Sequence, residues 1–562
     1  MARRRFFRLI GVNCRYTHSC PALFYVRAAL ENHLPDVEVD LLQLTINDPG
    51  YRSLLRIIQG DPAVLFFSAY IWNAEVLSRI IGDLVRIRPG KPIIIGGPQA
   101  GFLGELPAEC TIVHGEIEGV DPLFYRDLVE QRLRPVYRAA EGVAFPFPYR
   151  PDDFSSHLQN RQILYESSRG CPFSCSYCLS AACKRVVHKD PRTVEDELRR
   201  ILQEKPPLVK FVDRTFNDNP QRALAIWRII VAIGGGTRFH FEVAPDRFTE
   251  EQLDFLKAVP VGLFQFEIGV QSTNTKTLAA VHRNMDVERA LATIHRLRAA
   301  ENIHLHVDLI LGLPEDDRQS FADSFCRVFS CLPHHIQMGL LKVLPATPLA
   351  GEADRFDVVH CGRPPYEVLA TATMDSRTLA ELFLFGECVE RFYNNRYFPS
   401  LWQYLRQTGE NVFVFFRELL SVCNEVDFFQ RAPTHELMLE LLTGYLAARP
   451  DCDLLRELLI FDWLRCGHRF LPHALRAHSL ADLRTGLRKS MPLAWAPLYT
   501  ERERNRFFKQ GIFYPFSAVA LEQLGHVIKG ETAVVCFMKK SENGLYGLCQ
   551  YALLPMDFKN FS

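Results

Sequence analysis

Between residues 6 and 114, short continuous apolar runs alternate with segments whose apolar residues recur at helical spacing. Residues 6–12, 37–44, 63–68, 92–98 and 110–114 read as strands. Ala22, Leu23, Val26, Ala29, Leu30 and Leu34 fall on one helical face, as do Val76, Ile80, Ile81, Leu84 and Val85. Such alternation predicts a doubly wound parallel sheet over residues 1–130, a Rossmann-like α/β domain with its ligand crevice at the carboxyl ends of the strands. The stretch Phe145-Pro146-Phe147-Pro148-Tyr149-Arg150-Pro151 then breaks the pattern and marks a linker over residues 131–160.

Six further strand–helix units follow. The strands are residues 163–168, 209–213, 239–244, 264–270, 304–311 and 336–344; the helices include 194–202, 223–232, 250–257, 287–299 and 320–329. Six βα units predict a partial (βα)6 TIM-like barrel over residues 161–350, with its chemistry at the carboxyl rim. From 365 to 562 the periodicity turns helical. Leu379, Leu382, Phe383, Cys388 and Phe392 share a face, residues 437–446 and 454–464 are amphipathic, and the many aromatics read as core. Residues 534–539 and 545–551, joined through Asn543-Gly544, read as a closing hairpin.

Composition changes this picture little. A chain of 562 residues holds roughly three or four domains. Its 65 basic side chains equal its 65 acidic ones, so no global field draws it to nucleic acid or anionic lipid. Arg502, Arg504, Arg506 and Lys509 read as a solvated helix face. No apolar run approaches the ~18 residues of a membrane span. The basic head Arg3-Arg4-Arg5 resembles a leader, but Arg8 interrupts the apolar part, so it reads as the approach to the first strand. Of sixteen cysteines, thirteen lie scattered outside one cluster, with no disulfide framework, and a reducing cytoplasm fits them best.

That cluster is Cys171, Cys175 and Cys178, spaced C-x-x-x-C-x-x-C directly behind the first barrel strand. Three thiolates on one loop can hold three corners of a 4Fe–4S cube and leave one iron open, as reactive metal sites require. A zinc knuckle completed by Cys183 or His188 is the other reading. Polar residues recur at the following strand ends: Asp213, Glu242 and Glu267 with Gln271. A carboxylate in a strand buried on both faces needs a partner. A zwitterionic ligand with ribose hydroxyls would supply one, and so would ion pairs to Arg169, Arg214 or Arg247.

The thiol spacing, with Tyr177 before the third Cys, resembles the cluster loop of the radical S-adenosylmethionine (SAM) enzymes. In that family SAM chelates the open iron, and the reduced cluster cleaves it to a 5′-deoxyadenosyl radical. The resemblance implies that Asp213 holds the SAM amino group, and that Glu242, Glu267 and Gln271 reach ribose and carboxylate. It also implies that the stretch 308–315, through Ile310 and Gly312, packs against adenine, although Asp308 replaces the family's first Gly. Residues 344–348 are close to the family's P-G-T-P.

The first domain lacks a G-x-G-x-x-G after its first strand, so the dinucleotide fingerprint is missing. It resembles instead the cobalamin-binding domain that precedes many radical SAM cores. The resemblance rests on Tyr16-Thr17-His18-Ser19, on Ser68-Ala69-Tyr70 and on Gly96-Gly97-Pro98, with Ser68, Tyr70, Gly96 and Gly97 along the cofactor's nucleotide tail. Residues 13–18 depart from the Asp-x-His-x-x-Gly of domains that supply a lower axial ligand. Either His18 ligates cobalt by another geometry, or the cobalt has no protein ligand below, or the domain has kept the fold and lost the cofactor. The tail resembles a helical domain of unknown function found behind such cores. Together these imply a cobalamin-type radical SAM enzyme, with methyl transfer to an unactivated carbon or phosphorus centre as the expected reaction. Cyclisation, rearrangement or sulfur insertion, and a non-catalytic iron–sulfur protein that senses redox state or binds RNA, are the alternatives. A small or lipid-like substrate and an electron donor such as flavodoxin or ferredoxin are the implied partners.

Overall fold

The computed structural model describes residues 5–182, 184–475, 481–490, 504–540 and 548–557. Cys183, Arg502 and the Asn543-Gly544 turn lie outside them. Two compact units emerge, one of Met1–Ala290, Ile310–Asp317 and Leu340–Leu379, the other of Leu291–Leu309, Arg318–Gly339 and Ala380–Ser562. Among the described residues no helix is long and apolar enough to cross a membrane.

The first unit opens with the strands β1 (Arg5–Asn13), β2 (Val37–Thr45), β3 (Val64–Ser68), β4 (Ile93–Gly96), β5 (Cys110–His114) and β6 (Val136–Arg138). They form one parallel sheet in the order β2-β1-β3-β4-β5-β6. Its central strands are apolar on both faces because helices cover both. Ile10, Phe67 and Ile95 pack with Leu77, Ile81 and Leu84 of the helix Ala74–Ile87. The order reverses between β1 and β3, and ligands of doubly wound sheets sit in the crevice at that point. Asn73 spans it: its amide donates to Val12 O and Ser68 O, both at 3.0 Å. The short β6 escapes the hydrophobic pattern because only Tyr137 of its three residues is buried.

Arg27 ties this sheet's first helix, Pro21–His33, to the linker helix Pro151–Ser156. Its guanidinium donates to both Asp153 oxygens, at 2.6 and 2.5 Å, with side chains only 5% and 3% exposed. Breaking such a pair from one side strands a buried charge. Asp153→Ala is therefore expected to cost about 3 kcal/mol, read by denaturant unfolding, and Arg27→Met with Asp153→Leu to recover most of it.

After the linker come β7 (Ile163–Tyr165), the antiparallel pair β8 (Ser168–Arg169) and β9 (Val187–His188), then β10 (Leu208–Phe211), β11 (Arg238–Val243), β12 (Phe264–Gln271), β13 (His304–Leu311) and β14 (His335–Leu340). In the first unit β7, β10, β11 and β12 form a parallel sheet in the order β12-β11-β10-β7, a sequential winding unlike the first sheet's. In the first unit the register sets Phe239 beside Phe264 and Phe241 beside Phe266, all buried with Trp227 of the helix Pro220–Ile233. The other face carries Lys210 beside His240 and Glu242 beside Glu267. One face is an aromatic slab and the opposite face is polar. The unit also holds the short antiparallel pair β15 (Val359–His360) and β16 (Val368–Ala370).

The second unit contains β13, β14 and a helical region. Trp402 of the helix Pro399–Thr408 stacks on Phe416 of Val412–Glu425 at 5.1 Å. The helix Cys452–Arg465 buries Asp462, which accepts from Ser400 N and Oγ at 2.9 and 2.7 Å. The tail is not helical to its end: β17 (Ile512–Ser517), β18 (Thr532–Lys540) and β19 (Cys549–Asp557) form an antiparallel sheet. β17 went unread because Pro515 inside an apolar run argues against a strand, yet as an edge strand it tolerates the proline.

Candidate active site

The loop from β7 to β9 is built around Gly170. Its φ of +95° and its approach to the Arg185 carbonyl exclude any side chain, since an added Cβ would collide there. Cys171 and Cys175 are buried, Cys178 half-buried. Ser176 N donates to Val281 O at 2.9 Å and Cys178 N to Cys175 O at 3.1 Å, fixing the turn that carries the second and third thiols. Burial pushes the Cys171 thiol up, and Cys178 and Cys175 add to it, so the three sulfurs lie within electrostatic reach of one another. Thr215 Oγ1 stands 3.7 Å from Cys171 Sγ.

A half-buried cation faces the same loop. Arg283 Nη1 lies 3.7 Å from Cys175 Sγ, its Nη2 donates to Gly269 O, and its Nε is buried without a hydrogen-bond partner. Gln271 folds its amide back over Gly269, and its Oε1 is also buried and unpaired. The Tyr177 phenol, pushed up by burial, sits beside Arg283 and Cys175. Tyr177, Gln271 and Arg283 thus form one patch beside the thiols, with an unused donor and an unused acceptor, as a zwitterionic ligand requires.

A cube and a single ion ask different spacings of the three thiols. Zinc with bonds of about 2.3 Å brings its thiolates within about 3.8 Å of one another, whereas each thiolate of a cube has its own iron. Among the described residues no three His, Cys, Asp or Glu side chains gather as the shell of one ion. His188 pairs with Asp218 at 2.9 Å.

The strand-end carboxylates divide. Asp213 is fully buried and accepts from Ser167 N, Ser167 Oγ and Ser168 Oγ at 3.0, 2.6 and 2.5 Å. Arg222 Nη2 donates to Ser167 O and Oγ from the other side. Burial pushes the Asp213 carboxyl up while these bonds oppose the shift. The carboxylate clamps the segment between β7 and the thiol loop. Glu242 and Glu267 converge on Lys210 Nζ, at 3.9 and 3.3 Å, and Glu267 lies 3.0 Å from His240 Nε2. Lys210 and His240 on the adjacent strands thus stand among their ion-pair partners. Arg247 lies over the Phe173 ring at 4.7 Å. Ile310 is half-buried. Gly312, at φ +79°, lies against Val368, where a Cβ would meet Cγ1 at 2.8 Å.

The carboxyl ends of the first sheet supply the second half of the site. The loop after β1 is strapped down by Arg161, whose Nη1 donates to Tyr16 O and His18 O, both at 2.5 Å. Burial, then Arg15, then Lys210 lower the His18 pKa and hold the imidazole neutral at pH 7. Lys210 thus lies within electrostatic reach of this loop, on the polar face of β10. Ser68 sits near the Cys20 thiol and the Tyr70 phenol, but its buried hydroxyl makes no well-aligned hydrogen bond. Tyr70 stacks on Trp72 at 4.3 Å. Gly97 and Gly96 serve differently: a Cβ on Gly97 would stand 2.6 Å from Ala69 O, whereas one on Gly96 meets only Val113 O at 3.9 Å. The loops after β3 and β4 are therefore packed at backbone distance, and Ser68 at the end of β3 keeps a spare hydroxyl.

Sequence reasoning missed Arg283, Lys210 and His240. Arg283 lies 108 residues from the thiol it faces. Lys210 stands inside the apolar run Leu208-Val209-Lys210-Phe211, where an isolated lysine was itself the available signal.

Residues 165–325 match the radical SAM superfamily and residues 7–122 the B12 binding domain. The chain thus carries a radical SAM domain with a B12-binding domain in front of it. Residues 354–491 match a family described as a protein of unknown function, DUF4080. The 2-(S-pantetheinyl)-carbapenam-3-carboxylate methyltransferase of Streptantibioticus cattleyicolor is 26% identical over 64% of this chain and 61% of its own length. The cobalamin-dependent radical SAM methyltransferase TokK of Streptomyces tokunonensis is 26% identical over 62% of this chain and 59% of its own. The chain therefore spans about three fifths of the length of these relatives. The cobalamin-dependent S-adenosylmethionine radical enzyme OxsB, solved with aqua-cobalamin, shares the fold with a TM-score of 0.55 and 14% identity, over 82% of this chain and 80% of that one.

Proposed function

We propose that this protein is a cobalamin-dependent radical SAM methyltransferase acting on an unactivated carbon or phosphorus centre of a small molecule. The observation that carries the reading is the gathering of three thiols on one tight loop, with Arg283, Tyr177 and Gln271 beside them. Cys171, Cys175 and Cys178 would hold three irons of a 4Fe–4S cluster. Bound there, cluster and SAM would supply a carbon radical on reduction, and cobalamin a transferable methyl group. Arg283 neutralises the thiolate charge at Cys175 and offers its free Nε to a SAM carboxylate. Gln271 Oε1 accepts from the amino group or a ribose hydroxyl. Asp213 holds the cluster segment rather than the ligand, because Ser167 and Ser168 already fill three of the roughly four acceptor sites of its carboxylate. Glu242 and Glu267, oriented by Lys210, present carboxylate edges to ribose or substrate. Ser68, Tyr70, Gly96 and Gly97 border the cobalamin tail, and His18 stands near it as a neutral side chain. An electron donor such as flavodoxin or ferredoxin completes the reaction.

The test is anaerobic reconstitution with iron, sulfide and hydroxocobalamin, followed by methyl-labelled SAM and a reductant. Expected are about four irons per chain, reductant-dependent 5′-deoxyadenosine, and label passing to bound cobalamin. Zinc at the thiols, or no 5′-deoxyadenosine from a chain that holds its iron, would remove the reading.

A further inference from the structure

Arg169 lies two residues before Cys171, yet most of its partners belong to other segments. Its Nε and Nη2 donate to Glu166 Oε2 at 3.1 and 2.9 Å. Nη2 also pairs with Glu118 Oε1 at 3.2 Å, and Nη1 stands 3.9 Å from Glu116 Oε2. Glu118 and Glu116 belong to the loop after β5, in the first sheet. The guanidinium carbon lies 4.5 Å from the Tyr25 ring of the helix Pro21–His33 and 4.3 Å from the Phe145 ring of the linker. One side chain therefore meets the first sheet, its first helix, the linker and the segment leading into the thiol loop.

Both ends of this connection are stiff. The loop after β5 is clasped at backbone distance: Ala139 N donates to His114 O and Ala140 N to Gly119 O, both at 2.8 Å. A Cβ on Gly115 would stand 2.9 Å from Ala139 Cβ, so nothing larger than glycine fits there. At the other end Gly170 lies on the Arg185 carbonyl, and β8 is paired to β9. Glu118 is nine-tenths buried, and Arg169 is the cation that faces it. A planar guanidinium can serve carboxylates on two sides while stacked between rings, which a lysine cannot.

We propose that Arg169 is a positioning residue that registers the B12-binding domain on the cluster loop, so that methyl carrier and radical source keep one fixed geometry. The roles of carrier and source rest on the function proposed above; the mechanical link does not. Glu118 and the thiol loop are far apart in the chain and communicate through this guanidinium.

The test compares the full-length wild type with Glu118→Gln, Arg169→Gln and the double variant. Hydrogen exchange on the chain without cofactors is expected to accelerate about tenfold in the β8–β9 peptides of Glu118→Gln, and equally in residues 114–120 of Arg169→Gln. The double variant should go no further than either single one. In reconstituted protein, Glu118→Gln should shift the electron paramagnetic resonance of the reduced cluster, although it lies in another domain. Arg169→Lys, which keeps the charge but loses the fork, should show the same pattern at smaller size and guards against a variant that fails to fold. Exchange changes confined to the mutated segment, additive effects in the double variant, or an unmoved cluster signal would each overturn the link. Iron and cobalamin contents of the wild type judge the cofactor reading separately, because the exchange arm needs neither.

Discussion

Cys175→Ala is expected to yield a folded chain that retains no 4Fe–4S cluster and forms no 5′-deoxyadenosine above the reductant blank. Cys175 is the thiol that faces Arg283, and the turn from Cys175 to Cys178 carries two of the three sulfurs. With two thiolates left, a cube has two irons without protein ligands and is lost to solvent thiols or chelators. The loss of SAM cleavage should exceed ~10³-fold, because ligand removal eliminates the reactive group instead of misplacing it. Iron analysis, the visible spectrum and product chromatography on one sample decide it. Retention of full iron by the variant would show that these thiols are not the ligands. Stability should change little, since the loop remains anchored through Ser176 N on Val281 O and Leu349 N on Ser176 O, both at 2.9 Å.

Asp462→Asn is expected to stabilise the second unit above neutral pH and to do nothing at pH 4. Burial pushes the Asp462 carboxyl up to about 7, against an unfolded value of 3.8. The two Ser400 bonds, and then the Arg465 charge, oppose that rise without cancelling it. Between those pH values the folded chain keeps a proton that the unfolded chain has released. Stability therefore falls as pH rises through the window and levels off above about 7. At about 1.4 kcal/mol per pH unit, the full penalty is on the order of 4 kcal/mol. Asparagine removes the titration while Oδ1 still accepts from Ser400 N and its amide can donate to Ser400 Oγ. Hydrogen exchange in the helix Cys452–Arg465, followed from pH 4 to 8, measures the gap between the two proteins. A gap that stays constant with pH would mean that another group carries the dependence.

Most of the architecture was legible before any coordinates. Eleven of the strands β1 to β14 were read from runs of apolar residues bounded by turn residues. What escaped were the short pieces, β6 with one buried side chain, the two-residue β8 and β9 and the short pair β15 and β16, and β17 with its internal proline. The three thiols were legible because their spacing is local. The rest of the site was not, because it depends on register. Whether Glu267 meets an arginine of a neighbouring loop or Lys210 two strands away follows from which residues stand side by side, and apolar periodicity does not encode that. Asp213 shows the same limit: its position at a strand end was visible, but not that Ser167 and Ser168 already occupy its oxygens.

The alternation of phenyl rings and polar groups along β11 and β12 has an evolutionary corollary. Gaining or losing a single residue inside either strand would turn Glu242 or Glu267 into the aromatic slab and Phe241 or Phe266 out of it. Descendants of this chain can thus exchange side chains within these strands only for others that suit the same face. Insertions and deletions, by contrast, are restricted to the connecting loops, so the distance from β11 to the thiols is inherited as a constant while the lengths of the connections drift.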